Sequence, residues 1–197
     1  DRKPLPRFWY FPNDKKAVVV MTSDNHAGND TNVVERFLAE DAASPGGCSL
    51  ANWECVRSSA YVFNGSLPDN ATALFWQNQG FEIALHVNTG CADWTPADLT
   101  DFYTTQKNSF VDVFSALAPL ATNRTHCIAW SDWATQPQVA LQNGIRLDTN
   151  YYYWPPEWVA SRPGFFTGSG IPMRFADVDG SMIDVYQAAT QMTDESG

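Results

Sequence analysis

Three histidines occur in the 197 residues, and His26, His86 and His126 each fall at or just past the end of a stretch that reads as a strand. Imidazole nitrogens gathered with carboxylate oxygens form a ligand set for zinc or a similar divalent cation, with one position left for water. Carboxylates are at hand: Asp24, followed by Asn25, ends the first of these stretches, and Asp132 and Asp148 lie near the ends of later ones. Water held by such a cation titrates near neutrality, and a neighbouring carboxylate can take its proton, so the chemistry would be hydrolysis. A single histidine is more often a hydrogen-bonded structural residue. Three at one rim favour a shared site.

They share a rim only if the chain folds in α/β layers. Ala17-Val18-Val19-Val20-Met21-Thr22 is a continuous apolar run, the pattern of a strand buried on both faces. Residues 32–42 read as a short helix, and a loop containing Cys48 and Cys55 follows. Residues 69–79 read as a helix stopped by Gly80, and 81–85 as a strand ending at His86. Thr95-Pro96-Ala97-Asp98 is a helix start, with proline in the first turn and an acid near the positive end of the dipole. A third strand is expected over 124–130, a helix over 132–143, a fourth strand over 145–148, and a hairpin over 173–187 around Asp179-Gly180. Asp132 is expected to cap its helix. Alternating strands and helices predict a single α/β domain, in which functional residues gather beyond the carboxyl ends of the strands.

Composition narrows the function classes. An apolar content of 44% with 17% charged residues excludes a disordered segment. No apolar run reaches the roughly 20 residues of a membrane-spanning helix. Twelve basic against 22 acidic side chains, a net charge of -10, argue against nucleic acid as a partner and leave a neutral or cationic polymer acceptable. Aromatic residues are abundant and cluster without period over 150–158, so Trp130, Tyr152 and Trp154 could stack on sugar rings or simply pack. Asn29, Asn64, Asn70 and Asn123 each begin an N-x-S/T sequon. Together with an even cysteine count they point to a secreted glycoprotein, extracellular or in a cell wall. The expected disulfides are Cys48–Cys55, a local staple, and Cys91–Cys127, which join the ends of neighbouring strands; four free thiols are the alternative. No signal peptide is seen ahead of Asp1-Arg2-Lys3-Pro4, and the chain is expected to be a segment of a longer protein.

Val19-Val20-Met21-Thr22-Ser23-Asp24-Asn25-His26 resembles the first motif of NodB-type polysaccharide deacetylases, a strand ending in Thr-x-Asp-Asp. Gly80-Phe81-Glu82-Ile83-Ala84-Leu85-His86 resembles their second, Gly-x-Glu-Ile-x-x-His. Arg124 resembles the arginine of the third motif and Asp148 the acid of the fourth, and the likeness runs from about residue 17 to 187. Fungal exopolysaccharide deacetylases, particularly those acting on galactosaminogalactan of biofilms, are the most similar. The resemblance implies a distorted (β/α) barrel, expected to be incomplete at its carboxyl end, forming one catalytic domain over residues 1–197. It also implies a hydrolase that removes acetyl groups from N-acetylated hexosamine in a polysaccharide, N-acetylgalactosamine in particular. In that scheme Asp24 is the base, Arg124 and Asp148 orient it, and a divalent metal, zinc by preference, polarises the amide.

The sequence departs from the family in three places. Asn25 stands where a metal-binding Asp is usual, so either its amide oxygen ligates or Asp24 takes its place. Gly90 occupies the position of the family's second histidine ligand, and His126 is expected to replace it beside His86. No histidine follows His126 to act as general acid, which leaves His26, placed here among the substrate-binding residues, another acid, or a strand beyond Gly197. The rival reading is a catalytically inactive carbohydrate-binding barrel with an aromatic sugar groove.

Overall fold

The computed structural model describes residues 11, 15–25, 31–63, 68–127, 129–150 and 171–189. Two small sheets carry the fold. In the first, β1 (Met21–Asn25), β2 (Ser58–Val62) and β3 (Glu82–Leu85) lie parallel in the order β1-β2-β3. In the second, β4 (Thr122–Asn123), β5 (Leu147–Asp148) and β7 (Met182–Gln187) lie parallel, and β6 (Met173–Ala176) pairs antiparallel with β7 at the edge. Helices α1 (Thr31–Ala43), α2 (Asn70–Asn78), α3 (Pro96–Val113) and α4 (Thr135–Gln142) alternate with the strands. The sheets touch at one parallel bridge, Asn88 with His126, just beyond β3 and β4. There the His126 N–H donates to the Val87 carbonyl at 2.7 Å.

Local sequence explains these elements. The Asp69 carboxylate accepts from the Thr72 N–H at 2.8 Å and starts α2. Thr95 and Asp98 form a reciprocal capping box that starts α3, with Pro96 in the first turn. Asp132 accepts from the Thr135 N–H at 2.9 Å, which makes it the expected cap of α4. Gly80 ends α2 with φ of 92°, and a Cβ there would lie 2.8 Å from a Leu50 methyl. Leu99, Tyr103 and Phe110 on α3 and Ala73 and Trp76 on α2 are buried with the strand residues Val62, Ile83, Ala84 and Leu85. Each large apolar side chain removed from water contributes roughly 1.5–3 kcal/mol.

The faces of the strands also carry polar groups, which find one another. The Tyr61 hydroxyl on β2 lies 2.7 Å from Thr122 Oγ1 on β4 and accepts from Thr149 Oγ1 at 3.0 Å. Thr122 donates in turn to Glu82 on β3, which also accepts from Ser59 on β2. Four strands or strand ends are tied across the interior by hydroxyls and one carboxylate.

Three expectations need correction. Residues 17–20 are not a buried strand: β1 begins only at Met21, and Val19 is 81% and Val20 56% exposed. The central strand of that sheet is instead β2, which the sequence reading passed over because Ser58-Ser59-Ala60 lacks the β-branched bulk of a typical buried strand. Among the described residues no strand forms over 124–130: β4 lies just ahead of that stretch, which makes a single β-bridge, from His126 to Asn88. The hairpin forms as expected, with Gly180 in its turn at φ of 85°.

Exposure makes the valine run testable. Val19→Ser combined with Val20→Ser is expected to change unfolding free energy in urea by no more than about 0.5 kcal/mol per site. A loss above roughly 2 kcal/mol would restore the run to the core.

Candidate functional site

Thr22 and Asp24 are two residues apart on β1, so they share a face of the strand. His86 follows the last residue of β3; its backbone N–H donates to the Val62 carbonyl at 2.9 Å, and its ring is fully buried. His86 Nδ1 lies 2.8 Å from the Arg124 carbonyl. A carbonyl can only accept, so Nδ1 carries a proton, and in the neutral ring Nε2 presents a lone pair. That lone pair faces Asp24, whose Oδ2 is 3.9 Å away. The same Oδ2 lies 3.5 Å from Arg124 Nη2, and Arg124 Nη1 donates to Thr22 Oγ1 at 3.0 Å. The His126 ring meets the His86 ring edge-on at 5.4 Å between centroids. Phe63 packs against both imidazoles at 5.1 Å.

Asp24, His86, Arg124 and His126 are thus brought together, as their sequence positions suggested. The donor chemistry suits a divalent cation. Two ligand atoms about 2.0–2.2 Å from a tetrahedral zinc ion stand about 3.4 Å apart, and the 3.9 Å between Asp24 Oδ2 and His86 Nε2 is about half an ångström longer. His86 Nδ1, across the ring from the nitrogen that could ligate, is held by a carbonyl, the usual arrangement that fixes a ligating tautomer. Ligand atoms of Cys91, His126 and Cys127 also cluster, within 4.8 Å of one another, but the sulfurs are joined to each other, which leaves the imidazole as donor. A second such cluster, Asp41 with Cys48 and Cys55, has its sulfurs joined likewise and its carboxylate paired with Arg57 at 2.6 Å.

Asp148 is placed differently from its expected role beside Arg124. Its carboxylate is fully buried and accepts from Asn123 Nδ2 at 3.1 Å, the Asn150 N–H at 2.9 Å and Asn150 Nδ2 at 2.8 Å. Burial pushes its pKa up to about 6, against the opposing pull of those donors. The reason for the change of partner is geometric: β5 pairs in register with β4, so Asp148 lies across from Asn123, while the Arg124 guanidinium reaches the other way, to β1.

Asn123 is also corrected as a glycan acceptor. It is buried in β4 with its side-chain nitrogen donating to Asp148, which leaves no path for a sugar. Asn70 is half-buried in the first turn of α2. Cys48–Cys55 and Cys91–Cys127 are paired, with Cα–Cα distances of 5.2 Å. The Trp130 ring stacks on Phe175 of β6 at 5.7 Å. His26, Tyr152, Trp154, Asn29, Asn64 and the side chain of Asn25 lie outside the described residues.

Sequence reasoning missed Phe63, Thr22, Asn123 and Asn150 as parts of the site. Thr22 was signalled by its spacing from Asp24; Phe63 follows the strand that was overlooked. Beside the imidazoles, Phe63, Asn88, Gly90 and Gln106 line an open hollow of about 390 Å³. Gln106 on α3 grips the backbone of Asn88 from both sides, accepting from its N–H at 2.8 Å and donating to its carbonyl at 2.7 Å. No helix among the described residues is long and apolar enough to cross a membrane. Comparison with known families, with curated proteins and with solved structures found no match to this chain.

The Asp148 environment sets a pH dependence. Its folded pKa lies above the unfolded value of 3.8, so the folded chain binds the extra proton between the two. Its contribution to stability is therefore greatest below pH 4 and is lost as pH rises through about 6, by on the order of 3 kcal/mol. In paired thermal denaturation series from pH 4 to 7, Asp148→Asn is expected to lack this decline. Parallel curves for the two proteins would refute the buried carboxylate.

Proposed function

We propose that the chain is a secreted N-deacetylase that uses a divalent cation, zinc by preference, to remove acetyl groups from N-acetylated hexosamine, N-acetylgalactosamine in particular, in a polysaccharide. The observation that carries this reading is the meeting of Asp24, the lone pair of His86 and the ring of His126 at one place. The motif resemblance supports the same conclusion independently of that geometry. It also extends the parallel strands, joined through Asn88 and His126, to a distorted (β/α) barrel. The two disulfides fit an oxidising compartment.

His86 and His126 would hold the cation together with the end of β1, where Asp24 and Asn25 offer a carboxylate and an amide. When bound, the cation supplies acidity to a water and polarises the acetamide carbonyl. Asp24 takes the proton of the attacking water, and Arg124, anchored on Thr22, keeps that carboxylate in place through a charge-assisted contact. The Arg124 carbonyl holds His86 in the tautomer whose Nε2 can donate a lone pair. The C–N bond of the amide breaks as the proton taken by Asp24 passes to its nitrogen, releasing acetate and leaving a free amine on the sugar. The hollow bounded by Phe63 and Asn88 offers room for the sugar next to the imidazoles.

Acetate release from partly acetylated galactosamine oligomers is the test. Chelation should abolish it and zinc restore it; His86→Ala should lose zinc binding, and Asp24→Asn should lower the rate about 10²–10⁴-fold. Oligomer binding without any acetate release, in zinc-loaded protein, would replace this reading with an inactive carbohydrate-binding domain.

A further inference from the structure

The segment that supplies the arginine and the second imidazole is not held by a strand ladder. β4 ends at Asn123, and the next β-bridge along the chain is that of His126 with Asn88. What fixes the intervening turn is a buried amide. Asn150 Oδ1 accepts from the Thr125 N–H at 2.9 Å and from Thr125 Oγ1 at 3.0 Å. The Thr125 hydroxyl shares its single proton between that oxygen and the Cys127 carbonyl, 3.1 Å away. On its other side, Asn150 donates through Nδ2 to Asp148 Oδ2 at 2.8 Å, and its backbone N–H donates to Asp148 Oδ1 at 2.9 Å. Thr125, Asp148 and Asn150 are all buried.

We propose that Asn150 is a positioning residue for the site: clamped on Asp148, its amide holds Thr125, and so sets the Arg124 carbonyl against His86 and the His126 ring beside it. The inference rests on the metal-site reading for its consequence in cation binding, but its geometric content stands apart from it. Thr125 lies between Arg124, whose carbonyl accepts from His86 Nδ1, and His126, whose N–H donates to Val87. Any slack at Thr125 therefore reaches both imidazoles. The turn also runs into Cys127, whose φ of 56° is a left-handed conformation that a non-glycine residue keeps only when its surroundings enforce it. Register explains why position 150 does this: Asn123 pairs with Asp148, so residue 150 falls opposite residue 125 one period further on.

The chemistry selects asparagine. The side chain must accept from Thr125 and donate to a carboxylate at once. Aspartate would set a second carboxylate against Asp148, and leucine would leave the Thr125 N–H without an acceptor in a buried site.

Three variants of the full chain test this, by zinc titration calorimetry and by proton NMR contacts between the His86 and His126 rings in zinc-free protein. Asn150→Asp is expected to weaken zinc binding about 10–100-fold and to diminish the ring-to-ring contacts. Combining it with Asp148→Asn moves the charge across the pair, restores a donor facing an acceptor once the Asn123 amide turns its Oδ1 toward residue 148, and should recover both readouts. Thr125→Val removes only the hydroxyl link and should weaken binding about threefold, which keeps the test available if Asn150→Asp does not fold. Unchanged affinity and unchanged ring contacts in folded Asn150→Asp or in Thr125→Val would overturn the proposal. So would a double variant that folds yet stays as weak as the single one. A parent chain that binds no zinc would defeat the metal reading alone. The ring contacts would then decide: lost in Asn150→Asp and regained in the double variant, they uphold the positioning role; retained in Asn150→Asp, they overturn it.

Discussion

The hydrogen bond from the His126 N–H to the Val87 carbonyl, 2.7 Å long, is where one sheet hands over to the other. β3 has ended two residues before Val87, and β4 has ended three residues before His126, so neither strand ladder reaches this point. The contact completes a convergence of two chain ends that Thr122, bonded to Tyr61 and Glu82, begins. Once they have met, His86 Nδ1 can reach the Arg124 carbonyl, the imidazoles can pack edge to face, and Cys91 can pair with Cys127. The disulfide closes a 36-residue separation and so removes freedom from the unfolded chain worth roughly 4 kcal/mol by loop-closure arithmetic. A weak two-residue junction is thereby covalently fastened next to the residues that need it.

The interior beneath that junction is built in two ways. Toward α2 and α3 it is apolar and close-packed. Between the strands it is a chain of hydroxyls and one carboxylate from Ser59, Tyr61, Glu82, Thr122 and Thr149, each with a partner on another strand or strand end. Unmade hydrogen bonds in such surroundings would each cost about 1–3 kcal/mol, so these contacts discriminate against slips of register as well as stabilising the correct one. Burial pushes the Tyr61 and Tyr103 hydroxyls upward in pKa, which keeps both neutral and able to donate. Asp148 is the only carboxylate fully buried among the described residues, and its three N–H donors come from Asn123 and Asn150.

Much of the site was legible because its residues sit at strand ends, where composition changes abruptly from apolar to polar. Asp24 and His86 announced themselves that way, Arg124 only through the motif resemblance, and His126 by being the last imidazole available. Helix boundaries at Asp69, Thr95 and Gly80 were equally plain, since caps act through chemistry local to the sequence. β2 was not legible: a strand shielded by neighbours on both sides can be made of Ser, Ala and Tyr, because its pairing partners and not its own bulk hold it. The valine run erred the other way, since hydrophobic residues exposed singly or in short runs are normal on protein surfaces. Asn150 and Thr125 could not be found by pattern at all. Their importance comes from a cross-strand register, which exists only after the fold does.

Charge at the junction has a consequence for which ion would suit it. Among the described residues, Asp24 and Arg124 carry the opposite charges there, and His86 brings an imidazole whose Nδ1 donates to the Arg124 carbonyl. Asn25 adds no charge. The site therefore offers lone pairs more than negative charge. Magnesium and calcium depend on several carboxylate or carbonyl oxygens and hold their waters or their high coordination numbers stubbornly. Zinc binds imidazole nitrogen directly, accepts four ligands, and needs no excess of anionic groups to do so. An arginine beside the carboxylate would penalise a hard cation that relies on electrostatics, yet it leaves the nitrogen donors untouched. The same pairing that would orient Asp24 as the proposed base thus favours a borderline-soft ion.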